Sequence, residues 1–132
     1  MIKNSDDLEA QLGRLGRRYE RNPDGTFVLS LGVNQPPVAL VLVPPVLVVQ
    51  VAVGPAPKEE RVAAKVYKRL LELNASALLH TAFGLEGELI VLAAALELDN
   101  LDLNELEAVL ADIDVALSEH VPELRNMVEP KA

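Results

Sequence analysis

Between Val38 and Val53 thirteen of sixteen residues are hydrophobic, and Pro44 and Pro45 split the run near its middle. A membrane-spanning helix needs about 20 continuous apolar residues, and a helix interior does not absorb two adjacent prolines. The window therefore does not span a membrane. Its eight valines favour pleated sheet, which makes it a pair of strands, Val38–Val43 and Val46–Val53, joined by a Pro44-Pro45 turn. Both faces of both strands are apolar, an unusual burden for a small protein. One face can pack on helices. The other is met by a second subunit, by a client peptide, by the first helix, or by helices of the same chain that cover the sheet completely.

The flanking segments supply those helices. Leu8, Leu12, Leu15 and Tyr19 recur at helical spacing and predict a first helix over Ser5–Arg21, started by Asn4 or Ser5 with Asp6 and Asp7. Asn22 to Gly25 ends it in a turn. Phe27, Leu29, Leu31 and Val33 alternate and predict a strand over Thr26–Val33, the first of an antiparallel meander of three. A second helix follows over Lys58–Leu73, with Val62, Val66, Leu70 and Leu73 on one face and Glu59 and Glu60 in the first turn; Asn74 stops it. Leu78–Phe83 and Glu88–Leu96 form a second hairpin around Gly84 to Gly87. Asp102 and Glu105 have capping-box spacing at the head of a last helix over Leu103–His120, about 27 Å long, which Pro122 kinks or ends. Glu129–Ala132 is a frayed tail.

The fold class expected is thus α+β, an antiparallel five-stranded sheet with helices in the order α-β-β-β-α-β-β-α, in a single domain over residues 1–132. Phe27, Leu29, Leu31, Val62, Val66, Leu70, Leu106, Leu110, Ile113 and Leu117 are its expected core.

Composition narrows the function. The net charge of −8 repels a phosphate backbone and an anionic bilayer alike, and aromatic residues make up only 3%, too few for a base-stacking surface. Neither nucleic acid nor membrane is an expected partner. With no cysteine there are no disulfides or thiolate sites. Asp6, Asp7 and Glu9 stand where a signal peptide needs an apolar run, so the expected location is cytoplasmic.

Catalytic groups are sparse. His80 and His120 are the only histidines, with no spacing that places carboxylates beside them. No serine has a nucleophile context, and the acidic group at Asp99, Asp102, Glu105 and Glu107 lacks the loop spacing of a calcium site. The expectation is a protein that is not an enzyme, with no cofactor and no metal. Arg14, Arg17, Arg18 and Arg21 form one basic stripe on the first helix, solvated or facing an acidic partner.

The helix ending Leu70-Leu71-Glu72-Leu73-Asn74, the run from Ala82-Phe83-Gly84-Leu85 through Glu86-Gly87-Glu88 to Leu89-Ile90-Val91-Leu92, and the opening Leu101-Asp102-Leu103-Asn104-Glu105-Leu106 span about half of the chain. Together with the element order they resemble the class I type III secretion chaperones, the Tir chaperone family, and their YbjN-type relatives. The resemblance implies a homodimer that keeps an effector's N-terminal segment extended or, for the relatives, an interaction domain.

The expected function is a dimeric protein-binding module that covers an apolar segment of a client protein. The apolar face of the second helix, Val62, Ala63, Val66, Tyr67 and Leu70, is the expected dimer interface. Leu8, Leu12 and Leu15 of the first helix and Val41, Val43 and Val48 of the valine hairpin are the expected client-binding residues. The alternative is a small-molecule or lipid binder with an apolar pocket.

Overall fold

The computed structural model describes residues 2–128, so the expected tail at residues 129–132 lies outside it. Helix α1 (Ser5–Leu15) leads into strands β1 (Tyr19–Arg21), β2 (Phe27–Leu29), β3 (Val38–Val43) and β4 (Val46–Pro55). Helix α2 (Glu60–Ser76) then precedes β5 (Ala82–Glu86) and β6 (Leu89–Glu97), and α3 (Leu103–Val115), a π-helical turn (Ala116–His120) and α4 (Val121–Val128) complete the order. All strand pairs are antiparallel, in the spatial order β1-β2-β3-β4-β6-β5.

The sheet has six strands where five were expected, and the cause lies at Gly16. Its φ of 70° is a left-handed conformation that glycine adopts without a Cβ penalty and that commonly closes a helix. The first helix therefore stops at Leu15 rather than Arg21. Tyr19–Arg21 pairs with β2 instead, through a loop in which the Asn22 N–H donates to the Thr26 carbonyl at 2.8 Å and Asp24 Oδ1 accepts from the Thr26 N–H at 2.9 Å. The expected strand Thr26–Val33 is correspondingly short, because the chain leaves the sheet after Leu29 and Val33 is exposed.

Two other boundaries move. The second hairpin turns at Gly87-Glu88 rather than across Gly84–Gly87, since Glu86 pairs with Leu89 and Gly87 carries the positive φ of 63° that a two-residue turn requires. The last helix does not end at Pro122. Proline has no N–H and its ring crowds the carbonyl four residues back; the turn before it widens, with the Val121 N–H donating to the Ala116 carbonyl, and the helix continues as α4.

The expected caps are present: Asn4 Oδ1 accepts from the Asp7 N–H and Asp102 Oδ1 from the Glu105 N–H. Glu59 caps α2, accepting from the Arg61 and Val62 N–H groups. One contiguous core joins Leu8 and Leu12 of α1, Val66, Leu70 and Leu73 of α2, Leu106, Leu110 and Ile113 of α3 and Leu124 of α4 to one face of the sheet: Phe27, Leu29, Val38, Leu40, Leu47, Val49, Val51 and Leu92. Of the expected core, Leu31 and Val62 are only partly buried.

Candidate functional site

Strand residues alternate between faces, and the register tells which residues share the face turned away from the helices. One row across all six strands is Glu20, Val28, Ala39, Gln50, Ala93 and Ala82. The next is Val41, Val48 and Ala95, followed by Val43, Val46 and Glu97; on the other side of the first row lie Ala52, Val91 and Gly84. None of the strand residues on this face belongs to the core cluster or packs against it, whereas Tyr19, Leu42, Ala94 and Leu96 of the opposite face do. The helices thus cover one face; on the other, Val91 alone among the strand residues named is buried, at 7% exposure, and it lies outside the core cluster.

The open face is apolar at its centre. Val41, Val46 and Val48 are half-buried, and Val43, near the Pro44-Pro45 turn, is 50% exposed. β2 reaches only as far as Leu40 along β3, so Val41–Val43 has no strand beside it on that side. Gln50 is the polar residue in mid-sheet, and its Nε2 donates to Glu86 Oε2 at 2.7 Å.

A second apolar surface lies on α2. Val66 and Leu70 point into the core, while Leu71 is 68% exposed and Ala63, Tyr67 and Leu71 recur every fourth residue along one side. Asn74 locks this helix to the edge strand: the Phe83 N–H donates to its Oδ1 at 2.7 Å and its Nδ2 donates to the Phe83 carbonyl at 3.1 Å.

These features sit in a recognisable frame, since the family model CesT_Tir_1, describing type III secretion chaperones, matches residues 1–130. The chain belongs to that family. No curated protein matches it. Among solved structures it is similar to a chain of the ExoU–SpcU heterodimeric complex from the type III secretion system of Pseudomonas aeruginosa, at 20% identity and a TM-score of 0.70, with 94% of this chain and 99% of that one covered. It is also similar to a chain of the Yersinia pestis type III secretion chaperone SycH in complex with a fragment of YscM2, at 20% identity and a TM-score of 0.60 over 86% and 97% of the two chains. A chain of the ExsC–ExsE complex aligns over 99% of this chain and 100% of its own, at 19% identity and a TM-score of 0.62. These likenesses concern the fold, which is that of type III secretion chaperones.

Within this family fold the residues expected to bind a client divide. Val41, Val43 and Val48 lie together on the open face. Leu8 and Leu12 do not: they are fully enclosed in the core, and Leu15 is partly buried against it. Amphipathic periodicity marks the buried side of a helix, so a helix that packs on its own sheet hides the very stripe by which it is recognised. The same holds for Val66 and Leu70 of the expected dimer interface, which are core residues, while Val62, Ala63 and Tyr67 remain partly exposed. Leu71, exposed beside Tyr67, was not among the expected residues because it falls off the core stripe.

The basic stripe is not a stripe. With α1 ending at Leu15, Arg17 pairs with Asp114 of α3 at 3.1 Å, and Arg21 pairs with Asp6 at 2.9 Å and stands 5.5 Å from the Phe27 ring centre. Its hydrogen bond to Asp6 raises the Arg21 pKa further. His80 is exposed and its backbone N–H donates to Asp112; no cluster of three or more metal-ligating side chains occurs among the described residues. A groove of about 320 Å³ between Val66, Ile90, Val121 and Leu124 is at the low end of ligand-pocket size.

Proposed function

We propose that this protein is a homodimeric type III secretion chaperone, acting in the cytoplasm, that holds an apolar segment of an effector in extended form. The observation that carries the reading is the unroofed valine face of β3 and β4, continued by the alanines of β6. A contiguous apolar face of a sheet without a covering layer marks an interaction site, and a segment laid on it would contribute alternate side chains to the valine rows. Among its fold neighbours, SpcU and SycH occur in complexes with other proteins, which supports the same use here.

Dimerisation is assigned to the outer side of α2, through Ala63, Tyr67 and Leu71 with Val62 at the margin. A stable dimer buries about 1,200 Å² or more in total, so this stripe is its centre and the β5 edge beside it is its flank. No chemistry is required of either surface, and no helix among the described residues is long and apolar enough to cross a membrane.

The test is co-expression with the effectors exported by the same cell. The wild-type chain should co-purify with one of them as a dimer, and Val48→Asp should remain folded and dimeric yet lose it. A Val48→Asp protein that retains its effector would remove the open face from the mechanism.

A further inference from the structure

The strand residues of the open face carry charge of one sign only, with Arg18 bordering a groove beside Glu20 and Val28 at the β1 edge. Glu20 occupies its β1 margin, Glu97 lies beside Val46 at the end of β6, and Glu86 stands on β5, where Gln50 Nε2 fixes its carboxylate at 2.7 Å over the sheet. No strand residue on this face is lysine or arginine. None of the three glutamates takes part in an ion pair among the described residues, although Asp6, Glu9, Glu72, Asp114 and Glu123 all do. Arg17, Arg21 and Arg69 are thus matched with carboxylates, while the three acids around the valines have no ion-pair partner among the described residues.

We infer that the segment held on this face is an extended, alternately apolar stretch flanked by lysine or arginine, and that Glu20, Glu86 and Glu97 select it. This rests on the open face being the client site. The valines supply a non-directional attraction that any apolar segment satisfies; the acids at the margin supply the discrimination, as charges at an interface rim do. They also exclude one competitor. A second copy of this chain, laid face to face, would bring unpaired glutamates against glutamates on two molecules that each carry −8. The acids therefore keep the sheet face free for a client and leave self-association to α2.

Fluorescence anisotropy on the whole protein tests this with two short synthetic peptides that alternate valine and serine and differ only at their ends, one flanked by lysines and the other by glutamates. The lysine-flanked peptide should bind about tenfold tighter at low salt, with the gap closing as salt shortens the screening length. Replacing Glu20, Glu86 and Glu97 together by Gln should abolish the gap, and Val48→Asp should abolish binding of both peptides. The doubly substituted Val41→Thr, Val48→Thr protein, which keeps the β-branched shape, should weaken both equally and guards against a folding defect. Equal binding of the two peptides that still depends on Val48 would refute the charge selection and leave the client site standing. Failure of both peptides to bind, or binding indifferent to Val48, would refute both readings. A dimer that dissociates on Val48→Asp would refute the inference as well, since a second copy would then occupy the face.

Discussion

The carboxylate of Asp112, in the last turn of α3, accepts a 2.7 Å hydrogen bond from the hydroxyl of Thr81 and, through the same oxygen, hydrogen bonds from the backbone N–H groups of Thr81 and His80 at 3.0 Å. The Leu79 N–H points at its other oxygen at 3.4 Å. One side chain thereby fastens the loop between α2 and β5, which a run of unpaired N–H groups would otherwise leave unsatisfied. Burial raises the Asp112 pKa, but the hydrogen bonds from Thr81, His80 and Leu79 outweigh it and hold the group below its ordinary value.

Asp112→Ala should therefore cost about 2–3 kcal/mol, the range for losing hydrogen bonds to a charged group, read from urea midpoints at neutral pH. The sign with pH follows from the lowered folded-state pKa. The contribution of Asp112 is fully present above its unfolded value of about 4 and is lost as pH falls through the folded value. The stability gap between wild type and Asp112→Ala should shrink in acid. A gap that stays constant down to pH values well below that would show that the charge plays no part.

Adjacent valines should behave in opposite ways. Val49 is fully buried on the helix side and Val48 lies on the open side. Val49→Asp strands a charge in the core and should unfold the protein, while Val48→Asp should cost about 1–2 kcal/mol, mostly lost strand propensity, and leave the protein folded. Circular dichroism on the two variants decides it; similar losses for both would mean that the sheet is covered on both faces.

The Asn74 clamp predicts local rather than global effects. Asn74→Ala should raise hydrogen exchange at the Phe83 amide, whose partner is Asn74 Oδ1, and loosen α2 from β5 with a cost of about 1–2 kcal/mol. Unchanged exchange at Phe83 would contradict the clamp. The sequence suggested only a helix stop at Asn74; the helix runs on to Ser76, and the side chain works sideways on a strand nine residues later.

Alternation and helical period were strong enough to place α2, β3, β4 and the last helix, because those elements are long or uniformly apolar. Three-residue strands carry no period, so β1 was hidden behind a leucine pattern that continues into Tyr19, and only the conformation at Gly16 separates the two. The candidate site shows the same limit. A valine hairpin apolar on both faces announces an open surface, yet which residues occupy that surface depends on where the helices pack, and Leu8 and Leu12 prove to be core.

At the outer side of α2, replacing Tyr67 and Leu71 together by Glu should give a folded monomer, with a halved mass by light scattering and an unchanged far-ultraviolet spectrum. Two like charges brought into an apolar contact cost several kcal/mol if no counter-charge is near. Tyr67 also touches the core, so Leu71→Glu alone is the milder variant and should weaken the dimer without unfolding the chain. A wild-type protein that is already monomeric at tens of micromolar concentration would remove the dimer from the account.

Occupation of the valine face by an effector can be read with a photo-reactive amino acid placed at position 48 in cells that are secreting effectors, with the same group at position 79, an exposed leucine in the loop before β5, as a control. Position 48 should crosslink to a segment of alternating apolar residues in an exported effector, and position 79 should not. Crosslinks from position 48 that reach only a second copy of this chain, or its own helices, would contradict that occupation.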